Sequence, residues 1–418
     1  MSKPEINQTL DHLFRQEYAK MVSLFTNRYS SALIDQIEDA VQESLLKAAK
    51  LWSFQPMPEN PSAWLYRVAN NQLIDQLRRQ NKSVAYEPQK QEIDSDSIQI
   101  EVEEGRLIDD QLRMIFACCH PSMKLQEQLM LSLKLLCGLS VKEIARALLK
   151  KEDAAKKAIT RAKQKFKTEV GELSVPEGEA INERLEAVLQ VIYLLFNEGY
   201  KATEGDELIR HELCEEAIRL AFILTNAQNC HTGELNALIA MMLFKAARFP
   251  ARIRKDGSLV TLEHQDRSLY RDDYIQWGWK FMHESSKEEN TSVYQLEAAI
   301  ASYYTVAASY EKTNWKVIFK LYDGLVKLKP SPVVKMSRVL VMSKVLGAQK
   351  ALEAMLEIEN ETAELQSFQA LKAELYAEMG DYESATIHLK NAILQAQNIT
   401  EKRFLEAKLL NWKTPKSV

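Results

Sequence analysis

The chain has 418 residues and a net charge of −4, and 46% of its residues are hydrophobic. This apolar share is ordinary for globular proteins, and the length predicts two to four domains. Five cysteines without a Cys-x-x-Cys pair argue against a disulfide framework and favour a reducing environment. The first residues lack an apolar signal segment and no long apolar run occurs, so we expect a cytoplasmic protein without a membrane span.

Positive charge is concentrated in one segment of the chain. Residues 113–170 hold 13 Lys and Arg against 5 Asp and Glu, whereas residues 91–112 hold 1 against 8. Residues 171–418 are acidic overall, with 29 against 35. The total charge argues against nucleic acid binding, but a local basic face matters more than the total. Residues 113–170 are therefore the first candidate for a nucleic-acid-binding surface.

Helix is predicted almost everywhere, because only 12 Gly and 11 Pro interrupt a chain rich in helix-forming residues. In residues 1–82, apolar side chains recur at helical spacing in runs that begin at Leu10, Ile37 and Trp64. Pro61 suits the first turn of the third helix, and the prolines before it indicate a loop. This part of the chain is predicted to be a bundle of three or four helices.

The rest of the chain divides at two polar junctions. Residues 83–106 are acidic and poor in large apolar groups, which predicts a flexible linker. A second helical unit covers residues 107–170, and a junction with Pro and Gly follows at 171–179. From residue 180 to 418 helix is predicted to follow helix, with a break near 250–275.

The end of the chain shows a partial repeat. The run from Gly380 to Ala392 follows the spacing of the second helix of a tetratricopeptide unit, and Ala373 occupies the small position of the preceding helix. An ordinary antiparallel helix pair gives the same pattern. We predict a tetratricopeptide-like, helical-repeat domain over residues 180–418.

The sharpest pattern is a helix-turn-helix. Ser140 and Glu143 form a capping box at the start of the first helix, and residues 150–153 are predicted to form the turn. The second helix has an apolar face and a cationic face, so it can enter a major groove and neutralise phosphates. The predicted DNA contacts on this helix are Lys156, Lys157, Thr160, Arg161, Lys163 and Lys165. A solvated charged helix is the alternative.

Both helical units resemble parts of one family, the RNA polymerase sigma factors. The pattern from Ile144 to Lys163 resembles region 4, which reads the −35 promoter element. Residues 39–43 resemble region 2.2, which docks on the clamp helices of the polymerase β′ subunit. Residues 64–75, followed by Arg78 and Arg79, resemble regions 2.3 and 2.4, which open the −10 element and hold the exposed strand.

The resemblance assigns roles to residues of the first unit. It implies that core polymerase, through its β′ clamp helices and β flap, is a partner, with a polymerase-binding strip of Asp39, Gln42, Glu43 and Leu46. Aromatic rings can stack on unpaired bases, amides can bind base edges and arginines can hold the backbone. The predicted −10 contacts are Trp52, Phe54, Trp64, Tyr66, Arg67, Asn70, Asn71, Arg78 and Arg79. Core packing is the alternative for the aromatic residues, and a solvated helix face is the alternative for the acidic strip.

The linker at 83–106 leaves no room for region 3, so the resemblance is to the extracytoplasmic-function group, group 4. Several later segments resemble a subfamily with a large tetratricopeptide-like C-terminal extension; they are residues 118–121, 184–188, 193–200, 213–220, 256–267, 294–301 and 330–334. The turn at 150–153 departs from the usual apolar residue, proline and small residue, which leaves open the bases that are read. The expected fold is all-α: a region 2 bundle at 1–82, a region 4 helix-turn-helix at 107–170 and a helical-repeat extension.

Two clusters could suggest chemistry. Residues 118–120 contain two Cys and one His, but adjacent residues rarely supply three tetrahedral zinc ligands, and a structural site needs four. Residues 263–267 are rich in charge and include His264, but no matched nucleophile, glycine loop or second ligand set accompanies them. We expect no metal, no cofactor and no enzymatic activity of the chain itself.

The predicted function is that of an alternative sigma factor, which binds core RNA polymerase and promoter DNA and directs transcription initiation. The acidic extension and the basic segment 113–170 carry opposite charges, so we also predict an intramolecular contact through which the extension regulates the sigma domains. The alternative is a helical-repeat, DNA-binding transcription regulator that acts without core polymerase.

Overall fold

The part of the chain that the structure describes is predominantly helical. The computed structural model describes residues 3–81, 104–148, 150–178, 180–200, 210–254, 256–288, 291–363 and 365–413. These ranges contain twenty α-helices and no β-strand, apart from an isolated antiparallel bridge between Ile253 and Leu259. The predicted all-α class is confirmed. The chain divides into two compact units, Met1–Ile192 and Tyr193–Val418.

The first unit contains eight helices in the described residues, the last of which continues beyond it. They are α1 (Lys3–Tyr29), α2 (Ile34–Trp52), α3 (Pro61–Asn81), α4 (Glu104–Cys118), α5 (Leu125–Leu135), α6 (Val141–Ala147), α7 (Glu152–Glu169) and α8 (Ala180–Tyr200). The helices predicted for residues 1–82 are confirmed as α1 to α3, and Pro61 is the first residue of α3. Most of the predicted linker, 83–103, lies outside the described residues, and α4 begins at Glu104, before the predicted end of that linker.

Helices α1, α2 and α3 pack around an apolar centre. Phe25 of α1, Ile37 of α2 and Leu65 and Leu73 of α3 are completely buried. They are buried together because apolar residues at spacings of three and four lie on one face of each helix. Burying one such side chain contributes roughly 1.5–3 kcal/mol, so this face holds the three helices together.

The two predicted domains of the first unit pack directly on each other. Helices α4 and α5 both contact α1. Gly138, in the turn after α5, has a φ of +63°, and a Cβ there would lie 3.1 Å from Cδ1 of Tyr18 on α1. A larger residue at Gly138 would therefore strain the backbone and crowd the Tyr18 ring. The sequence did not indicate this packing.

The second unit contains the remaining helices. They are α9 (His211–Leu224), α10 (Gly233–Ala247), α11 (Phe249–Arg252), α12 (Asp272–Ser285), α13 (Val293–Val306), α14 (Trp315–Leu328), α15 (Pro332–Leu346), α16 (Ala348–Leu356), α17 (Glu359–Thr362), α18 (Gln366–Glu378), α19 (Tyr382–Gln395) and α20 (Ile399–Lys413). Helix α10 is buried almost all round and packs against α9, α12 and α13. Gly278 lets α12 approach α10, since a Cβ there would lie 2.9 Å from the Phe244 ring.

The predicted break near residues 250–275 is a hydrogen-bonded loop. After α11 the loop contains the Ile253–Leu259 bridge and two 3₁₀ turns, Leu262–His264 and Arg267–Leu269. The Gln265 side chain organises it: its Nε2 donates to the carbonyl of Val260 at 3.1 Å. The loop therefore has a defined conformation between α11 and α12.

Helices α18 and α19 form the antiparallel pair predicted near the end of the chain. The small residues Ala373, Ala385 and Ala392 are completely buried between the helices. Gly380 has a φ of +81°, which a side chain disfavours, and Asp381 caps α19 by accepting from the Ser384 amide. The helix pair is confirmed, and its assignment as a tetratricopeptide unit stays a prediction.

The cysteine thiols lie inside the protein, away from solvent. All five cysteines are buried. Burial raises the pKa of the Cys119 thiol to about 12, so this thiol remains protonated at neutral pH.

Among the helices of the described ranges, none combines the length and apolarity that crossing a bilayer requires.

Candidate nucleic-acid interface

Helices α6 and α7 form the predicted helix-turn-helix. The amide of Glu143 donates to Oγ of Ser140 at 3.2 Å, and the amide of Ser140 donates to Oε2 of Glu143 at 2.8 Å. This reciprocal capping box satisfies two backbone donors at the start of α6 and fixes where that helix begins. Helix α6 ends at Ala147 and α7 begins at Glu152, so the turn lies two residues earlier than the predicted 150–153.

One face of α7 is buried, as its apolar spacing predicts. The buried side chains are Ala155, Ala158, Ile159, Ala162 and Phe166. This face packs on α5 and α6. Because a helix buries one stripe and exposes the opposite one, the polar face of α7 is directed outward.

The N-terminal half of α7 presents an exposed cationic surface. Lys156, Lys157, Thr160 and Arg161 are all exposed. The three cations form no ion pair with the described residues, and Oγ1 of Thr160 donates to the carbonyl of Lys156 at 2.9 Å. Exposed cations on a helix of this kind can position phosphates. Their individual contacts with DNA stay predictions.

Two predicted DNA contacts on α7 are already occupied. Nζ of Lys165 lies 2.7 Å from Oε2 of Glu127 on α5. Nζ of Lys163 lies 3.1 Å from Oδ1 of Asp35 and also contacts Glu38, both on α2. In this structure neither lysine is free to bind phosphate. This corrects the assignment of Lys163 and Lys165 as promoter contacts.

The contact of Lys163 belongs to a larger cluster between α2 and α7. Lys167, one turn beyond Lys163, pairs with Asp35, and Lys134 of α5 lies 3.7 Å from Glu38. We call Asp35, Glu38, Lys163 and Lys167 the α2–α7 ion-pair cluster. Glu38 is only 2% exposed, so its charge is compensated almost entirely by protein groups. The cluster joins the first helices of the unit to the cationic helix.

The α2–α7 ion-pair cluster keeps Lys163 and Asp35 charged at neutral pH. Burial alone would lower the pKa of Lys163, but Glu38 and Asp35 raise it above its ordinary value. Burial alone would raise the pKa of Asp35, but hydrogen bonds from Lys167 and Lys163 hold it below its ordinary value. Each group therefore stabilises the charged form of the other.

Hydrogen bonds reinforce the same junction. Oγ of Ser31, just before α2, donates to the carbonyls of Val170 and, at 3.3 Å, Gly171 after α7. On another side, Nδ2 of Asn27 donates to Oδ1 of Asp110 on α4 at 2.6 Å. Hydrogen bonds to backbone carbonyls, together with the ion pairs, thus hold the C-terminal end of α7 against the N-terminal helices.

Helix α2 presents the predicted polymerase-binding strip on its outer surface. Asp39, Gln42, Glu43 and Leu46 are all exposed, and Leu46 is 60% exposed. Their spacing of three and four residues places them on one stripe of the helix. Glu43 lies 3.7 Å from Lys47, an exposed pair that contributes little to stability. The strip is accessible to a partner.

Helix α3 presents a second polar surface. Arg67, Asn71 and Arg78 are exposed and share one face of the helix, because they are separated by four and seven residues. Arg79 is exposed beside them. Phe54, in the loop after α2, is 92% exposed, as a ring that stacks on a base must be.

Two other predicted −10 contacts are buried inside the helical bundle. Tyr66 is completely buried, with its ring 6.3 Å from that of Phe25, and burial raises its pKa well above the ordinary value. Asn70 is 1% exposed, and its Oδ1 accepts from the hydroxyl of Tyr29 at 2.7 Å. Neither side chain can reach a nucleotide in this structure, which corrects their assignment: they lie on the core face of α3.

The two predicted tryptophan contacts serve partly in packing. Trp52 and Trp64 are half-buried, and their ring centroids are 5.5 Å apart. Phe14 of α1 packs on Trp52 with its ring centroid at 6.0 Å. The alternative of core packing therefore applies in part to this pair.

The comparisons with known proteins cover most of these elements. The description "Sigma-70 region 2" matches residues 13–83, and "Sigma-70, region 4" matches residues 113–166. A family of unknown function (DUF6596) matches residues 184–286. The first match contains α2 and α3, and the second contains the helix-turn-helix.

One relative matches nearly the full chain. It is an uncharacterized protein of Rhizobium meliloti (strain 1021), 34% identical over 380 residues, which are 90% of either chain. No solved structure matches the chain at a significant level.

The two sigma-70 matches contain the polar face of α3 and the cationic helix-turn-helix, which together define a DNA-binding protein of the transcription machinery. The chain belongs to the sigma-70 family, in the extracytoplasmic-function arrangement of region 2 followed by region 4, and it carries a C-terminal helical extension. Proteins with these two regions mediate promoter recognition.

Proposed function

We propose that this chain is an alternative sigma factor that binds core RNA polymerase and brings it to promoters. Region 4 binds the −35 duplex through α7, and region 2 opens the −10 element and holds its exposed strand through α3. Core polymerase docks its β′ clamp helices on the α2 strip, and its β flap contacts region 4. The observation that supports this proposal is the exposure of three separate polar surfaces, on α2, α3 and α7, within the two matched regions.

The side chains of region 2 have different roles at the −10 element. Arg67, Arg78 and Arg79 hold the phosphate backbone, since a guanidinium binds two phosphate oxygens at once. Asn71 binds a base edge, and Phe54 stacks on an unpaired base. The chain itself is not an enzyme in this proposal, because the polymerase performs phosphodiester synthesis.

Run-off transcription with purified core polymerase and a genomic promoter library tests the proposal. We expect transcripts from a defined subset of promoters only when the chain is added. Binding of duplex promoter DNA with equal affinity in the presence and absence of core, without transcripts, would instead identify a regulator that acts without core polymerase.

Replacing Arg161 by Ala tests the role of α7. Arg161 is exposed and forms no ion pair with the described residues, so its loss removes one cation without leaving a buried partner. We expect weaker promoter binding by the complex with core, and a log–log salt dependence that is flatter by roughly one unit. The measurement is fluorescence anisotropy across a salt series. Glu152→Gln is an exposed change on the same helix that removes no cation. It should leave the slope of the log–log salt dependence unchanged.

We further propose that the extension regulates the sigma regions. Residues 171–418 carry excess negative charge and residues 113–170 excess positive charge, so the two attract. A covalent tether makes their effective concentration on the order of millimolar. The extension therefore controls when regions 2 and 4 engage polymerase.

A truncated chain tests this regulation, and the structure moves the truncation point. A chain ending at Gly171 loses contacts of the first unit, because Nη2 of Arg184 on α8 donates to the carbonyl of Phe116 at 2.7 Å, and Ile181, Leu185 and Val188 are buried. Truncation after Ile192 keeps them. We expect changed transcription from this variant once circular dichroism shows native helix content. Unchanged transcription and core affinity would disprove regulation by the extension.

A further inference from the structure

The second unit contains a large cavity that the proposed function does not use. Its volume is about 1000 Å³, and it lies between the loop before α12 and helices α13, α15, α18 and α20. Cavities of roughly 300–1,000 Å³ accommodate drug-sized molecules. The size therefore fits an organic molecule rather than a lone ion.

A buried arginine lines this cavity without an ionic partner. Arg248 is only 8% exposed, and its Nε and Nη2 donate to Oε1 of Gln265 at 3.3 and 3.1 Å. Arg248 forms no ion pair with any residue of the described ranges. A guanidinium has five N–H donors, and a neutral amide oxygen does not compensate its charge. A buried cation of this kind is stabilised when an anion joins it.

The groups around Arg248 hold it in place and leave its charge uncompensated. Oε1 of Gln265 also accepts from the hydroxyl of Tyr270 at 2.9 Å, so the carboxamide that receives Arg248 is fixed. Tyr304 lines the cavity as well, but burial raises its pKa well above the ordinary value and its phenol stays neutral. The guanidinium is therefore held in a fixed position at the cavity wall.

Three glutamates also line the cavity; Glu374 and Glu378 are paired, whereas Glu263 forms no ion pair with a described residue. Glu378 contacts Lys344, and Glu374 contacts Lys408, so these carboxylates and amines compensate one another across α15, α18 and α20. Trp315 also lines the cavity and provides an aromatic surface. The cavity thus combines one uncompensated buried cation, an aromatic surface and ion pairs that can accept further hydrogen bonds.

We propose that this cavity binds a small organic anion with an aromatic or apolar body. The anionic group, a carboxylate or sulfonate, accepts hydrogen bonds from Arg248, and the body packs against Trp315 and the apolar side chains of α18. Desolvation strengthens the charge-assisted bond, because Arg248 already lies away from water. The proposal does not depend on the activity of the sigma regions.

The test uses the full chain and two fluorescent probes. The first is 8-anilinonaphthalene-1-sulfonate, an aromatic anion, and the second is N-phenyl-1-naphthylamine, a similar molecule without charge. We expect saturable binding of one anionic probe per chain, and tighter binding of the anion than of the neutral probe. Arg248→Gln should weaken binding of the anion at least tenfold and leave binding of the neutral probe unchanged. Arg252→Gln is the matched control, since Arg252 is 9% exposed and does not line the cavity.

A second variant keeps the test decisive if Arg248→Gln does not fold. Ala407 is exposed on α20 and lines the cavity, so Ala407→Trp places an indole in the cavity without removing a core group. We expect it to weaken binding of both probes while thermal unfolding stays unchanged. Wild-type affinity of a folded Ala407→Trp variant for both probes, equal affinity of the wild type for both probes, or unchanged anion binding by a folded Arg248→Gln variant each overturns the proposal.

Discussion

Reversing the charge of the α2 strip should strongly weaken binding to core RNA polymerase. The triple variant Asp39→Lys, Gln42→Lys and Glu43→Lys changes only exposed side chains, so we expect an intact fold. If a basic polymerase surface docks there, like charges replace opposite ones, which costs about 3 kcal/mol and weakens binding roughly 100-fold. The measurement is the affinity of labelled chain for core polymerase at fixed ionic strength.

A matched control separates the strip from overall charge. Glu353, Glu357 and Asn360 are exposed in the second unit, and changing all three to Lys alters the net charge by the same amount. We expect this control to bind core polymerase as the wild type does. Equal affinity of the strip variant and the wild type would show that polymerase does not dock on this face of α2.

Opening the α2–α7 ion-pair cluster should strengthen DNA binding by the free chain. Asp35→Asn removes the carboxylate that Lys163 and Lys167 share, which frees Lys167 beside the exposed face of α7, while Lys163 keeps its contact with Glu38. We expect about tenfold tighter binding to duplex DNA without core polymerase, and a steeper salt dependence by roughly one unit. Asp39→Asn is the control, because it makes the same charge change on the same helix outside the cluster.

Salt rather than pH should control the cluster. The pKa of Asp35 is lowered, so its contribution is complete above its ordinary pKa and is lost only as pH falls through the lowered value. The pKa of Lys163 is raised, so its contribution is complete below its ordinary pKa and is lost only as pH rises through the raised value. Between roughly pH 5 and 9 both stay charged. A difference between wild type and Asp35→Asn that vanishes within this pH range at constant salt would contradict this account.

Local patterns in the sequence determined the helices and their surfaces. Ser140 and Glu143 cap α6, Pro61 begins α3, and the buried face of α7 consists of the predicted apolar positions. These features depend on residues within two or three helical turns, so spacing and residue type suffice to predict them. The exposure of the α2 strip and of the N-terminal cations of α7 follows from the same periodicity.

The tertiary structure determined which groups pack against each helix face. Tyr66 and Asn70 lie on the core side of α3, because α1 packs over them. Lys163 pairs with Asp35 across 128 residues of sequence, and no helical period relates positions so far apart. Arg248 lines a cavity built by helices from distant parts of the second unit. Periodicity shows which side chains share a face, but only the packing of separate helices determines whether that face meets solvent, an ion partner or a cavity.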